Sequence, residues 1–442
     1  MIATVQRLLR AADVRVVRYL WCDNANLVRT KATHVDDTPS LRDGIALTLA
    51  SQAVPVMYDA VVPGSGLTPV GEAVLRPDWE TLAVLPFAPG QAHVMCDLVL
   101  DGEPWEHCPR AFLRAQVAAL AEQGLRAETA FESEFVLMRR GAEGLEPVDR
   151  TTYALTGPLT THAQLVDDVV RALSAHDIRL EHVHAESGPG QLEISIPRAD
   201  PVTAADHQVA VRECVRGVAV RHGVVASFLP VLTEGAAGSG CHLNLSLWRD
   251  AAPATGDAGR DTSLSPEAEA FVAGVLHHLP AVAALTLATP NSYRRIRPHF
   301  WAGAYTAWGR GNREAAVRVT PGPDGAASRL EVKSVDASAN PYLATGTVIA
   351  AGVDGLRRGL TLPPEVTIDP GNLDDDARRA GSVEPLPSDL AGALDALRAD
   401  DVLLAALGEA RATAYLAVKE TESDALAGLP LADEVALLAE RY

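Results

Sequence analysis

The stretch FESEFVL, residues 131–137, sets two glutamates, Glu132 and Glu134, two positions apart in an apolar run. Phe131, Phe135 and Leu137 predict a strand, and residues two apart on a strand share a face. Two carboxylates on one half-buried face repel each other and lose hydration, so something must offset them. Three more stretches have the same form. QLEISI (191–196) alternates Gln191, Glu193 and Ser195 with Leu192, Ile194 and Ile196. HLNLSLW (242–248) alternates His242, Asn244 and Ser246 with leucines, and RLEVK (329–333) alternates Arg329, Glu331 and Lys333 with Leu330 and Val332. One such strand alone reads as an ordinary sheet with its polar side in water. Four together gather carboxylates at a density that cations must neutralise. Oxygen-rich donors with a single imidazole suit Mg²⁺ or Mn²⁺ better than zinc, which favours cysteine or more histidine.

The turns beside these strands fit such a site. AESGPGQLE places Glu186 ahead of a Gly-Pro-Gly turn that feeds Gln191 and Glu193. EGAAGSGCH places Gly235, Gly238 and Gly240 ahead of His242, where backbone can approach a ligand closely, though this is no Walker sequence. A basic segment, NSYRRIRPHFWAGAYTAWGRGNREAAVRV (291–319), carries Arg294, Arg295, Arg297, Arg310, Arg313 and Arg318 among five aromatic side chains. The guanidinium fork matches carboxylate and phosphate. Metals and arginines around one pocket point to phosphoryl transfer from a nucleotide, in which charge neutralisation is most of the catalysis.

Larger elements must position these groups. The 442 residues suffice for two to three domains with a sizeable core. A net charge of −19 argues against a general binder of nucleic acid or anionic membrane. Five scattered cysteines without a CxxC read as reduced thiols, and no uncharged apolar run suggests a membrane span; the expectation is a soluble cytoplasmic protein. A helix is expected over 3–12, then two strands joined by an Asn-rich turn at Asp23–Asn26. Residues 40–90 read as turn-rich, AHVMCDLVL as a strand, and Pro109 as the start of a helix ending at Gly124. Helical spacing follows in 163–177, 204–223 and a C-terminal hairpin from Asp389. Residues 250–267 and 361–388 read as long loops, functional or mobile. A domain boundary is placed near residue 104.

ESEF, ESGPGQLE, GSGCHLNLSLW, NSYRR…NREAAVR and RLEVK…ANPYLA occur in this order, and with them the chain resembles the glutamine synthetase superfamily in its type I-like arrangement over nearly its whole length. The resemblance implies an α+β fold: an N-terminal β-grasp domain (1–103) and a catalytic domain (104–442) with a curved antiparallel sheet flanked by helices. It implies two metal sites, one held by Glu134, Glu186 and Glu193, the other by Glu132, His242 and Glu331. Ser246, Arg313, Arg318 and Arg329 match nucleotide and phosphate contacts. Arg295 matches the arginine for the α-carboxylate of glutamate, and Gly238 a substrate-loop glycine. It further implies ATP as co-substrate, Mg²⁺ or Mn²⁺ as cofactor, and a ring-shaped homo-oligomer. The catalytic set would be Arg318, Arg295, Lys333 and Asp59, the last supplied by a neighbouring subunit.

Four positions depart from ammonia-using members. Trp301 stands where their flap carries a glutamate, Ala237 replaces an asparagine, Asn244 a histidine, and Lys333 an arginine. A neutral indole cannot take a proton from ammonium, but it can pack against a larger amine or face a cation. Lys333 keeps the charge without the bidentate fork. Trp301 and Lys333 thus join the substrate-binding candidates. The tyrosine adenylylated in many bacterial members is absent, with Asp374 nearby, so that control is not expected. The leading expectation is an ATP-dependent ligase joining glutamate to an organic amine through γ-glutamyl phosphate. A true glutamine synthetase, a guanidino-kinase-like enzyme and a non-catalytic relative stay open as alternatives.

Overall fold

The computed structural model describes residues 2–142 and 144–442. Two sheets with helices packed on them make an α+β structure. The first sheet has the strand order Val28–His34, Val16–Cys22, Gln91–Leu100, Glu72–Pro77, Ile45–Thr48, with two short edge pieces. Val16–Cys22 runs parallel to Gln91–Leu100, while its partner Val28–His34 is antiparallel, so the sheet is mixed. Asn26 closes that hairpin in the left-handed region (φ 66°). The segment read as turn-rich also holds a helix, Thr38–Asp43, capped by Asp37, and two paired strands, Ile45–Thr48 and Glu72–Pro77. Short apolar runs such as IALT are too brief for their period to show among glycines and prolines.

The second sheet carries the four motif strands. Its order is His182–Ala185, Gln191–Ser195, Arg126–Gly141, Cys241–Arg249, Ala327–Val332, Val317–Pro321, Trp308–Arg310. Pairing along this path is antiparallel except between the last two strands, which run parallel. Phe131, Phe135, Leu192, Ile194, Leu243, Leu245 and Leu330 fill the core on one face. Behind them lie the helices Pro201–Arg221, Pro266–Thr286 and Pro341–Arg358, each opened by a proline at its first turn and an Asp, Ser or Asn cap. Pro266–Thr286 is long and apolar enough to cross a membrane, but most of it is buried in this core. All five cysteines are buried and unpaired.

Arg110, on the helix Pro109–Ala121, is 3% exposed and ties the two regions together. It donates to Asp206 (2.7 and 3.0 Å), Asp97 (2.9 Å) and Asp78 (2.9 Å). Three carboxylates around one buried guanidinium meet its forked geometry. The segment read as a loop over 361–388 contains the helix Asp375–Gly381, capped by Asp374, and packs against residues 305–312 through Val366 and Val383.

Candidate active site

Register brings the polar faces together. Glu132 lies opposite His242 on one side and Ser195 on the other; Glu134 faces Glu193, and Glu193 faces His184. Glu331 lies between Asn244 and Arg318. Directly opposed side chains in an antiparallel pair sit within reach of each other, so four separate motifs become one surface. It lines a cleft of about 740 Å³ that includes Glu132, Glu134, Glu186, Glu193, His242, Glu331, Arg295, Arg313, Arg318, Arg329, Lys333, Gly238 and Trp301. Ser246 lines an adjoining cleft of about 630 Å³ that shares Glu132, Ser195 and Arg329 with the first. Asp59 stands elsewhere, exposed on a segment whose neighbours Val56 and Val62 pack against the C-terminal helices.

Two compact groups could each hold a cation. In the first, His242 Nδ1 is 3.4 Å from Glu331 and 3.7 Å from Glu132. In the second, one donor atom each from His184, Glu186 and Glu193 lies within 4.8 Å of the others. Glu134 lies outside both: its Oε2 accepts from Gln191 Nε2 (2.9 Å) and Gly240 N–H (3.0 Å), which fix the carboxylate between the groups. A Cβ at Gly240 would stand 2.7 Å from Arg295 Nη2 and 2.8 Å from His242 Nε2, so only glycine lets the turn pass. Sequence reading missed His184. Its signal was HVHAES, a further alternating stretch two residues before Glu186.

The two groups differ in charge. Burial alone would raise the Glu331 pKa, but Lys333, His242 and Arg318 overturn that and hold it down to about 2. Burial likewise opposes Glu132, and the hydrogen bond with His242 leaves it lowered. At Glu193, burial and then repulsion from Glu134, Glu132 and Glu186 push the pKa up to about 8. Burial, followed by Glu134, raises Glu186 as well. The donors are carboxylate oxygens and imidazole nitrogens without a thiolate, which fits Mg²⁺ or Mn²⁺.

The arginines of the basic segment divide. Arg294 is held by Glu434 (2.7 and 3.0 Å), and Arg310 by Glu365, so both serve the fold. Arg297 covers the Phe300 ring at 4.1 Å. Arg295 is buried beside His242, and its Nη1 has no protein acceptor. A buried guanidinium nitrogen without a partner is costly, and a carboxylate in the cleft would satisfy it. Asn244 Oδ1 accepts from Arg329 Nε at 2.8 Å, which turns that guanidinium to the cleft wall. Lys333 Nζ reaches Glu331 (3.2 Å).

A sheet whose wet face gathers carboxylates, two histidines and arginines around a deep cleft defines an enzyme of the phosphoryl-handling ligase type. The profile described as "Glutamine synthetase, catalytic domain" matches residues 106–437, and the chain belongs to that family. It is 42% identical over 373 residues to the gamma-glutamylpolyamine synthetase GlnA3 of Streptomyces coelicolor, spanning 82% of this chain and 79% of that protein. It is 36% identical over 381 residues to the glutamine synthetase of Thermus thermophilus, spanning 84% and 85%. A solved structure described as a novel glutamine synthase homolog superposes with a TM-score of 0.86 at 33% identity, over 97% of this chain and 99% of the other. A GmaS/ADP complex superposes with a TM-score of 0.85 at 25% identity, over 96% and 97%. Family members of this kind are ligases that use ATP and divalent metal.

Proposed function

We propose that the protein joins the γ-carboxyl group of glutamate to an organic amine, using ATP and passing through γ-glutamyl phosphate. The observation that carries this is Trp301. It occupies the flap position expected to hold a glutamate, is 57% exposed, and lines the cleft with Phe300 and Tyr153. An aromatic rim above the acids Glu181 and Glu186 offers an apolar path for an alkyl chain and carboxylates for its ammonium ends. The 42% identical relative bears the name of a polyamine ligase, which supports the same class of amine.

In this reading Arg295 Nη1 takes the α-carboxylate of glutamate, and Lys333 steers its γ-carboxylate. Ser246 and Arg329 line the nucleotide arm, with Arg313 and Arg318 on the phosphates. A γ-carboxylate oxygen attacks the γ-phosphorus of ATP, and the bond to ADP breaks. The amine nitrogen then attacks the acyl carbon, the carbon–oxygen bond breaks, and phosphate leaves. The amine proton passes to a cleft carboxylate outside the metal groups, for which Glu181 lines the same wall. Divalent ions held by Glu132, His242 and Glu331, and by Glu186, Glu193 and Glu134 or His184, would supply charge neutralisation to the phosphoryl group. We also read residues 1–103 as a β-grasp domain, and the assembly as a ring in which Asp59 reaches a neighbour's cleft.

The test is ATP turnover with L-glutamate and Mg²⁺ or Mn²⁺, first with ammonium and then with mono- and polyamines, following phosphate and amide mass. A glutamyl adduct of an organic amine with little glutamine is expected. Efficient glutamine formation would make it an ordinary synthetase with an unusual flap.

A further inference from the structure

The flap that carries Trp301 begins just after Arg295 and returns to the core at Gly303, whose carbonyl accepts from Ser334 Oγ (2.8 Å). Between those points the backbone is in an unfavourable state twice: His299 has φ 67° and Trp301 has φ 56°. Bulky residues in the left-handed region are held there by surrounding structure. Two acids do the holding. Asp369, on the 361–388 segment, pairs with His299 Nδ1 at 2.6 Å. Glu314, one residue beyond Arg313, accepts the backbone N–H of Trp301 on Oε1 at 2.9 Å. Glu314 is itself fixed. It is 9% exposed, and its N–H donates to Asn312 Oδ1 (3.0 Å), whose amide in turn donates to the carbonyls of Val366 and Ile368. Burial raises its pKa, as expected of an acid withdrawn from water beneath a loop.

Resting on the amine-ligase reading, we propose that Glu314 is the positioning residue of the amine subsite. By seating the Trp301 backbone it turns a strained flap into a fixed indole wall, and thereby selects alkyl amines over ammonium. The loss of a carboxylate at position 301 is thus accompanied by a carboxylate at position 314 that acts from beneath the flap, through the backbone. Glu314 does not line the cleft, so it acts through Trp301 and not on the amine itself.

The experiment combines hydrogen–deuterium exchange across residues 296–304 with substrate kinetics of the full chain, using Glu314→Ala, Glu314→Asp and Glu314→Gln. The alanine variant removes the acceptor and the aspartate shortens its reach; the glutamine keeps an acceptor oxygen. Exchange at the Trp301 amide should quicken about tenfold or more in the first two and stay near wild type in the third. The KM for the preferred amine should rise several-fold in the first two, with the KM for ATP within about twofold. Wild-type exchange in both E314A and E314D overturns the proposal, as does an E314Q variant that behaves like E314A. If exchange responds as stated but no amine is joined to glutamate, the ligase reading fails and the anchoring role stands. If E314A does not fold, E314D and E314Q decide between these outcomes.

Discussion

The two acid groups in the cleft are built from the same residue types and lie on neighbouring strands, yet they are opposite in electrostatic character. Around Glu331 the chain supplies its own cations, Lys333 and Arg318, and the carboxyl stays ionised well into acid. Around Glu193 it supplies mainly more acids, and the carboxyl keeps its proton to about pH 8. A cluster that the fold already neutralises is stable without a ligand. One that it does not is a site waiting for charge from outside. The difference teaches that ligand type alone does not tell which acids depend on metal; the balance of neighbours does.

The largest test removes one acid from each side. Glu331→Gln strands the buried Lys333 and the half-buried Arg318 and should cost about 3 kcal/mol of metal-free stability, measured by denaturant unfolding. Glu193→Gln relieves repulsion, so metal-free stability should hold or rise, while Mn²⁺ affinity and the ligase activity fall by about 100-fold or more, and the stabilisation by Mn²⁺ shrinks accordingly. Equal destabilisation by both would break the contrast.

Next in size is the pH dependence, whose sign differs between the groups. Glu193 binds its proton more tightly folded (about 8) than unfolded (about 4.5), so metal-free stability should fall as pH rises across that window and level off above it. The gain in Tm from added Mn²⁺ should grow over the same range, because binding expels the proton. Glu331, at about 2 folded, contributes stability above about pH 4.5 that is lost as pH falls toward 2. Differential scanning from pH 2 to 9 should find the decline above about pH 4.5 flattened in E193Q and the acid decline flattened in E331Q.

A smaller effect is expected at Asn244→Ala. Without the 2.8 Å bond Arg329 loses its aim, and the KM for ATP should rise about five- to tenfold with metal affinity unchanged. The smallest concerns a control outside the cleft. His278 is buried between Asp354 (3.0 Å) and Asp400 (2.6 Å); burial opposes its charge, but the two hydrogen bonds raise its pKa. Its contribution is complete below the unfolded value near 6.5 and is lost as pH rises through the folded value. His278→Asn should therefore reduce stability at pH 5.5 more than at pH 9, by thermal unfolding, and leave metal affinity alone.

The sequence made the wet faces legible because alternation and chemistry coincided over four or more residues. It set Glu132, Glu193, His242 and Glu331 on polar faces that the register then brings to one cleft, and it marked where Trp301 departs. It did not show that Arg294 and Arg310 belong to the fold, since their partners Glu434 and Glu365 lie far along the chain. His184 stayed hidden because its strand is four residues long. The strand pair within 40–90 and the helix within 361–388 were masked by glycine and proline, which punctuate the chain without saying what lies between. Glu314 carries no pattern at all; its meaning depends on a loop folding over it.

The cross-strand register has a consequence for how this protein can change length. Glu132, His242, Glu331 and Glu193 face each other only because each strand is counted correctly from its neighbours. One residue inserted into 128–136, 191–195 or 241–246 would turn the downstream half of that strand inside out, placing leucines in the cleft and acids in the core. The exposed turn at 258–262 lies outside these ladders and carries no such count. Natural variation in length and engineered insertions should therefore accumulate there, and a chain of this kind can acquire new surface without rewriting its chemistry.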